Sequence, residues 1–196
     1  ENVHYLSFSR NFGKEAGLLA GLEAAQGDYV TVMDADLQDP PELLIEMYAK
    51  IQEGYDVVGT RRADRKGEPP IRSLFAKAFY WLINKVSDTE MVDGARDFRL
   101  MTRQVVDAIL ELKEVNRFSK GLFSWVGFDV AYVSYENRER VAGETSWSFW
   151  SLLSYSLDGF INFSEVPLKL ATWAGTFSFL ISLVGIIFVI IRKLTI

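Results

Sequence analysis

The chain has 196 residues, of which 49% are hydrophobic and 14% aromatic. That composition excludes a disordered chain and is sufficient for one domain with a core plus a small appendage. The net charge of -5 argues against a nucleic-acid-binding protein. Because the chain contains no cysteine, disulfide frameworks and thiolate chemistry are excluded, and the single histidine, His4, gives little support to a histidine-based catalytic site.

Strand-like and helix-like segments alternate along residues 1–145. Apolar runs predict strands at Val3–Phe8, Tyr29–Met33, Tyr55–Thr60 and Val130–Tyr135. Helical patterns predict helices at Lys14–Ala25, Pro41–Gln52, Ile71–Val86 and Val105–Leu112. The alternation predicts an α/β domain with a mostly parallel sheet. Asp39, followed by Pro40 and Glu42, is predicted to cap the second helix.

The last part of the chain is predicted to meet a membrane. Ser146–Ser164 is rich in aromatic and apolar residues and carries one charge, Asp158, which predicts an amphipathic helix in the membrane interface. A helix packed on the soluble domain is the alternative. Leu170–Ile191 has no charged side chain and matches the roughly 20 residues of a transmembrane helix, with a buried core helix as the alternative. The predicted division is a catalytic domain over 1–145, an interfacial region over 146–166 and a transmembrane helix over 167–196.

Both ends of the chain suggest a piece of a longer protein. Residue 1 is Glu rather than Met, and the chain stops just after the long apolar stretch. The start lacks the apolar segment of a secretory signal peptide. Positive charge flanks both ends of the apolar stretch, so the sequence does not fix its orientation.

The sharpest feature is the pair Asp34 and Asp36 at the end of the apolar run Tyr29–Met33. In extended backbone this spacing puts both carboxylates on one side, and Gln38 continues that side if the extension holds. Ligands bind at the carboxyl ends of strands in open α/β sheets. Two hard oxygen ligands there suit Mg²⁺ or Mn²⁺, with diphosphate and water completing the shell. The alternative, acids that only solvate a loop, explains this pair poorly.

Basic residues recur in the predicted loops of this acidic chain. Arginine forks bind phosphate well, although each cluster alone is more often a solvated surface. Their recurrence beside a metal-type motif predicts phosphate handling, and the nearby membrane helix adds anionic lipid headgroups as a second target. The clusters comprise Arg61, Arg62, Arg65, Lys66 and Arg72; Arg96 and Arg99; Arg117 and Lys120; and Arg138 and Arg140.

Six segments, spread over nearly the whole chain, resemble the polyprenyl-phosphate glycosyltransferases of family 2, the group of dolichol-phosphate mannose synthase and bactoprenol glucosyltransferase. They are Ser9–Lys14, Asp34–Glu42, Gly59–Arg62, Asp97–Leu100, Asn116–Gly121 and Arg140–Thr145. The resemblance implies a GT-A fold and an inverting, metal-dependent hexosyltransferase of the cell envelope. The implied donor is a nucleotide-sugar, UDP-glucose before UDP-N-acetylglucosamine. The implied acceptor is a polyprenyl phosphate such as undecaprenyl phosphate, reached from the cytoplasmic face of the cell membrane.

The resemblance also implies roles for individual residues near the donor. The implied metal and diphosphate ligands are Asp34, Asp36 and Gln38. The implied donor-binding residues are Arg10, Asn11, Lys14, Asp34 and Arg61. Asp97 matches the residue usually proposed as base. Because a phosphate monoester is already largely ionised near neutral pH, with a second pKa of about 6, we expect Asp97 to orient the sugar or the arginines at least as much as to remove a proton. A salt bridge to Arg96 or Arg99 is the alternative for Asp97.

The implied acceptor site draws on basic residues and one hydroxyl. The residues expected to bind phosphate or acceptor are Arg72, Arg99, Arg117, Lys120, Arg138, Arg140 and Thr145. Thr145 and Ser146 stand where many members have Ser-Lys, so a lysine often expected at the acceptor phosphate is absent. The earlier strand and nucleotide-binding stretch of similar proteins are also missing from this sequence, as is the second membrane helix that is common in bacterial members.

Two other functions remain open at the level of sequence. A processive polysaccharide synthase of the same fold would need a Gln-x-x-Arg-Trp-type segment, and Ser146–Trp150 has the aromatics without the Gln or Arg. A non-catalytic, membrane-anchored binding module is the second alternative, against which the intact Asp34 and Asp36 argue. Single-span anchors often associate, so a homo-oligomer is compatible with the sequence.

Overall fold

The computed structural model describes residues 3–36, 38–63, 81–85, 87, 92, 94–114, 117–136 and 149–195. The helices are α1 (Lys14–Ala24), α2 (Leu43–Gln52), α3 (Arg103–Glu111), α4 (Ser119–Trp125), α5 (Phe149–Asn162) and α6 (Val166–Thr195). The strands are β1 (Tyr29–Val32), β2 (Val57–Arg62), β3 (Ala95–Thr102) and β4 (Val130–Tyr135). Residues 81–85 are also helical.

The described strands form one mixed sheet in the order β1-β3-β2-β4. Strand β3 is antiparallel to β1 and β2, whereas β2 and β4 are parallel. Strands β1, β2 and β4 therefore share one direction, as expected of a mostly parallel sheet, but the insertion of β3 between β1 and β2 was not predicted. The carboxyl ends of β1, β2 and β4 meet the amino end of β3 along one side of the sheet, which we call the carboxyl edge.

Helices cover both faces of the sheet. Consecutive side chains of a strand point to opposite faces, and in these strands apolar side chains lie on both. On one face, Val57 and Met101 pack against helices α1, α3 and α4. On the other face, Val58 and Phe98 pack against Met47 of helix α2. Each such side chain stabilises the fold by about 1.5–3 kcal/mol when fully buried. Burial on both faces fixes the position of the carboxyl edge.

Two sequence predictions about strands need correction. Residues 3–8 form no strand, and Val3 and Tyr5 are 86% and 90% exposed. Their apolar alternation is typical of a strand, but a strand also needs a neighbour, and the described part of the chain supplies no ladder partner for them. Strand β3 was not predicted, because charged residues interrupt its apolar pattern. The predicted helix Ile71–Val86 lies outside the described residues except for 81–85.

The predicted capping role of Asp39 is wrong. Helix α2 begins at Leu43, with Glu42 at its N-cap and no side-chain capping bond. Asp39 is 1% exposed, and its carboxylate accepts hydrogen bonds from Arg96 and Tyr135 instead. A buried carboxylate needs an opposite charge to offset its desolvation, and Arg96 supplies that charge.

Helix α5 packs on the domain through two glycines. A Cβ added at Gly121 of α4 would clash with the ring of Phe163, which follows α5 directly, and a Cβ added at Gly159 of α5 would lie 3.1 Å from the ring of Phe118. Elsewhere on α5, Leu157 and Ile161 are 51% and 61% exposed. Part of this helix therefore packs on the domain. Its exposed apolar residues are compatible with a place in the membrane interface, which stays a prediction.

Replacing Gly121 with Ala is expected to lower the free energy of unfolding. The added methyl displaces the Phe163 ring, and overpacking of this kind costs about 1–3 kcal/mol, more than the roughly 1 kcal/mol that Ala gains over Gly inside a helix. Gly17→Ala is the matched control, since a Cβ at this α1 position would meet no atom of another residue packed within 4 Å; it should stabilise slightly. Thermal unfolding of both variants checks this, and equal stability of the two would contradict the packing account.

Among the described residues, helix α6 is long and apolar enough to cross a membrane: it has 30 residues, and its most apolar 18-residue stretch has a mean hydropathy of 2.5. None of its side chains is buried. The hydroxyls of Thr172 and Ser182 donate to carbonyls four residues earlier, both at 2.9 Å, so they need no water. These features fit the predicted span. The three-part division at residues 145 and 166 stays a prediction.

Candidate active site

Three elements bring opposite charges together at the carboxyl edge. Because Val32 of β1 pairs with Arg99 of β3 in antiparallel register, Asp34 follows β1 on the side where Asp97 enters β3. The Nζ atom of Lys14, the first residue of α1, lies 3.0 Å from Oδ1 of Asp34 and 2.5 Å from Oδ2 of Asp97. Lys14 therefore bridges two predicted site carboxylates that lie 63 positions apart in the sequence.

Asp97 lies in a strongly cationic environment. Burial alone would raise the pKa of this carboxyl, but the charges of Lys120 and Lys14, with the Lys14 hydrogen bond and the Arg99 charge, outweigh it and lower the pKa to about 2. Lys120 Nζ is 4.0 Å from Asp97 Oδ1. For Lys14, burial lowers the pKa, but Asp97 and Asp34 more than compensate and raise it above its ordinary value. Asp97 is thus a stable anion and Lys14 a stable cation near neutral pH.

A second contact holds the two lysines in place. The carboxylate of Glu15 accepts hydrogen bonds from the backbone amide of Ser119, at 3.1 Å, and from the Ser119 hydroxyl. Glu15 follows Lys14 in α1, and Ser119 precedes Lys120 in α4. The bond therefore ties α1 to α4 beside the residues that flank Asp97. Sequence reasoning missed Glu15, and only its position next to Lys14 could have suggested it.

Asp36 and Gln38 belong to the loop that follows β1. The backbone amide of Gln38 donates to Oδ1 of Asp36 at 3.2 Å, which closes a tight turn. The side-chain oxygen of Gln38 accepts a bond from Arg96 Nη2 at 3.4 Å. Both side chains are partly buried. The turn shows that the extended backbone assumed for this loop does not continue through Gln38.

The oxygen atoms of Asp34, Asp36 and Gln38 are the kind that Mg²⁺ and Mn²⁺ prefer. Among the described residues, no group of three or more His, Cys, Asp or Glu side chains could hold a metal ion. A divalent ion in this loop would therefore need oxygens from a ligand or water, as Mg²⁺ commonly does. It would also compete with Lys14 for Asp34. With oxygens from a ligand or water added, and with Lys14 displaced from Asp34, the three residues fit a divalent ion.

The residues predicted to contact the donor lie at two places. The Arg10 guanidinium stacks on the ring of Phe12 at 4.6 Å. The Asn11 side chain accepts a bond from the Gly13 amide at 2.9 Å and shapes the turn into α1. Arg61 is exposed near the end of β2, which belongs to the carboxyl edge. Of these residues, Lys14 contacts Asp34 and Asp97 directly. The turn that contains Asn11 immediately precedes Lys14.

Two arginines predicted to bind the acceptor are used inside the fold, each only 7% exposed. The Arg99 guanidinium lies 3.7 Å from the centre of the Phe123 ring and donates to the Arg96 carbonyl at 3.0 Å. Arg117 donates to the Leu112 carbonyl, at 2.5 Å, just past α3. These contacts give both guanidiniums a role inside the fold, and phosphate or acceptor binding by Arg99 and Arg117 stays a prediction.

The other predicted acceptor residues divide into two groups. Lys120 is partly exposed beside Asp97, with 32% of its side chain accessible. The remaining four lie outside the described residues: Arg72, Arg138, Arg140 and Thr145.

A buried polar network next to the loop was also missed. The Tyr135 hydroxyl donates to Asp39, and Arg96 Nε donates to the same carboxylate oxygen at 3.2 Å. Burial and the nearby Asp39 raise the pKa of Tyr135 to about 12 despite the Arg96 charge, so the hydroxyl keeps its proton. Nothing in the sequence marks Tyr135, and Arg96 was visible only as part of a basic cluster.

Comparison with known proteins gives consistent matches. The family model described as Glycosyl transferase family 2 matches residues 1–110. The chain is 51% identical over 193 residues to CsbB of Bacillus subtilis (strain 168), a protein that carries a glycosyltransferase name. The aligned region covers 98% of this chain and 58% of that protein. The chain is 44% identical over 172 residues to the bactoprenol glucosyl transferase of Shigella phage SfV, covering 88% and 56%.

A further match is the prophage bactoprenol glucosyl transferase homolog of Escherichia coli (strain K12), at 43% identity over 170 residues, covering 87% of this chain and 56% of that protein. The chain therefore spans little more than half the length of these curated relatives.

Proposed function

Because the chain belongs to glycosyl transferase family 2, we propose that its parent protein transfers a hexose from a nucleotide-sugar, with UDP-glucose the first candidate, to a polyprenyl phosphate. The reaction takes place at the cytoplasmic face of the cell membrane. The names of two relatives, both bactoprenol glucosyl transferases or homologs at 43–44% identity, support this acceptor and a glucosyl group. Self-association of the protein is compatible with the proposal.

The observation that carries the proposal is the bridge from Lys14 to Asp34 and Asp97 at the carboxyl edge. It places a carboxylate from the β1 loop beside a carboxylate of β3, with a lysine able to contact either. A nucleotide-sugar presents a diphosphate and a sugar a few ångströms apart. Lys14 suits the diphosphate directly, and Asp34 suits it through a divalent ion. Asp97 suits the hydroxyls of the sugar.

Asp97 orients rather than titrates in the proposed reaction. With a pKa of about 2, it is a weak base and holds its negative charge at any physiological pH. The acceptor phosphate is already largely ionised, with a second pKa of about 6, and needs little proton removal. Asp97 would therefore accept hydrogen bonds from sugar hydroxyls and hold Lys14 and Lys120 where the diphosphate and the acceptor phosphate approach.

Asp34, Asp36 and Gln38 would hold the Mg²⁺ or Mn²⁺ ion. When bound, that ion supplies Lewis-acid stabilisation of the charge that develops on the departing diphosphate. Lys14 would then move its contact from Asp34 toward a phosphate oxygen, so its positive charge stays in the site. Arg61, at the same edge, offers a guanidinium fork for the diphosphate.

Helix α6 and the exposed apolar residues of α5 would bring this site to the lipid. A polyprenyl tail leaves the bilayer only at a cost of roughly 0.8 kcal/mol per exposed CH₂ group. The enzyme must therefore work at the headgroup plane. An apolar helix that is joined to α5 by only three residues keeps the catalytic domain there.

A donor panel tests the proposal directly. Membranes containing the full-length protein are incubated with polyprenyl phosphate and, one at a time, radiolabelled UDP-glucose, UDP-N-acetylglucosamine and GDP-mannose. We expect label in the lipid extract with UDP-glucose, dependent on added Mg²⁺ or Mn²⁺ and removed by a chelator. Membranes without the protein are the control. Labelled product that stays in the aqueous phase, or labelled polymer in place of one sugar per lipid, would overturn the proposed acceptor.

A further inference from the structure

Asp39 is the most deeply buried acid among the described residues, at 1% exposure, and the proposed reaction gives it no role. An ionised carboxylate without partners is costly to bury, so its contacts must be strong ones. They are the hydroxyl of Tyr135 and, at 3.2 Å, Nε of Arg96. A contact network of this kind has one well-defined arrangement rather than many.

The partners of Asp39 come from two strands that are not neighbours. Arg96 lies near the amino end of β3, and Tyr135 is the last residue of β4, while β2 lies between these strands. Tyr135 shares a strand face with Val133, because strand side chains alternate, and Arg96 meets Tyr135 on that face through Asp39. Phe98 and Val133 both pack against α2. Asp39 therefore joins β3 to β4 across the carboxyl edge, on the face opposite Asp97.

The network continues into the loop with the proposed metal ligands. Nη2 of Arg96 lies 3.4 Å from the side-chain oxygen of Gln38, and the Gln38 amide lies 3.2 Å from Oδ1 of Asp36. Hydrogen bonds thus lead from Tyr135 through Asp39 and Arg96 to the side chain of Gln38, whose backbone amide donates to Asp36. The buried end of the path fixes the half-exposed end.

We propose that Asp39, Arg96 and Tyr135 form a positioning network that sets Asp36 and Gln38 for binding the divalent ion of a nucleotide-diphosphate. The inference rests on the proposed function, since it assigns these residues to that same site. They act through the ligands without touching substrate. Partners in the shell behind metal ligands typically change metal affinity by about 10- to 100-fold when removed.

The test compares two tyrosine variants that lose the same atom. Tyr135→Phe removes the hydroxyl from the network, whereas Tyr29→Phe removes one that lies 3.4 Å from Gln52, away from the loop. Binding of Mn²⁺ to the full-length protein is followed by electron paramagnetic resonance, with UDP present and no acceptor, so turnover is not needed. We expect Tyr135→Phe to raise the half-saturating Mn²⁺ concentration about tenfold or more, and Tyr29→Phe to leave it unchanged.

Arg96→Lys is a second variant, because it keeps the positive charge and loses the fork that reaches both Asp39 and Gln38. It should also weaken Mn²⁺ binding, and its effect should not add to that of Tyr135→Phe if the residues act as a unit. Thermal unfolding is measured on all variants. A lower Tm with unchanged Mn²⁺ binding would make the network merely structural and overturn the inference. If the wild-type protein itself binds no Mn²⁺ with UDP, the proposed function fails instead.

Discussion

Replacing Asp36 with Asn is expected to reduce sugar transfer at least about a hundredfold while leaving the fold intact. The variant keeps the size of the side chain and loses the charge that would hold a divalent ion. Lewis-acid stabilisation by a metal contributes several kcal/mol, and each factor of ten in rate corresponds to about 1.4 kcal/mol. Asp36 is partly exposed and is not a member of the buried core clusters, so little stability should be lost. Initial rates of lipid labelling at saturating donor measure the effect.

Asp107→Asn is the matched control for this substitution. Asp107 lies on α3, where it pairs with Arg103 at 3.7 Å and is 61% exposed, so the same chemical change there removes only a surface charge. Surface pairs of this kind contribute about 0–1 kcal/mol to stability. Wild-type turnover by Asp36→Asn would remove this residue from the metal site, and so would a loss of rate that Asp107→Asn reproduces.

Replacing Asp97 with Asn should slow transfer by about a hundredfold, the loss that follows when reacting groups are misplaced by about 1 Å, without moving the acid limb of the pH profile. The pKa of Asp97 is about 2, so this group is ionised throughout the range in which the rate is measured. The acid limb should instead follow the acceptor phosphate, with its second pKa of about 6. Measuring kcat/KM for the acceptor from pH 5 to 8 in both proteins tests this.

Disappearance of the acid limb in Asp97→Asn would show that Asp97 itself titrates there and acts as the base. Acid unfolding provides an independent check of the same pKa. Since the folded state lowers the pKa of Asp97, its ionised form stabilises the fold above the unfolded-state pKa of about 4, and that contribution disappears as the pH falls toward 2. The stability difference between wild type and Asp97→Asn should therefore shrink in acid.

The sequence predicted the elements whose apolar pattern is uninterrupted. Strands β1, β2 and β4 and helices α1, α2 and α3 lie within a few residues of their predicted bounds. The α/β class with a long apolar helix at the end is confirmed, and family membership supports its assignment as a GT-A domain. Helix α4 was not predicted, because its 7 residues are too few to show a helical period.

Strand β3 shows why a functional strand is hard to predict. Its amino end carries Arg96, Asp97 and Arg99, which reach into the carboxyl edge or bridge backbone groups, while Phe98 and Met101 are fully buried. Charged residues at the site hide the alternation that the rest of the strand obeys. The same residues were therefore interpreted as a basic loop.

The acids of the site were predictable as residue types, but their meeting point was not. Asp34 and Asp36 stand out because they follow an apolar run, and Asp97 was identified only by resemblance. That Lys14 joins Asp34 to Asp97 depends on the antiparallel register of β1 and β3, which no local pattern encodes. The burial of Arg99 and Arg117 was not predictable either, because sequence shows charge and does not show burial.

The length of helix α6 limits how the protein sits on a bilayer. Its 30 residues extend about 45 Å at a rise of 1.5 Å each, whereas the hydrocarbon layer is about 30 Å thick. If α6 crosses it as proposed, the helix must tilt, or its ends must extend into the headgroup layer. Because only three residues join α6 to α5, the catalytic domain can move very little along the membrane normal. Membrane thickness would then set the height of the reaction centre, and thicker or thinner bilayers should alter turnover without any change in the site.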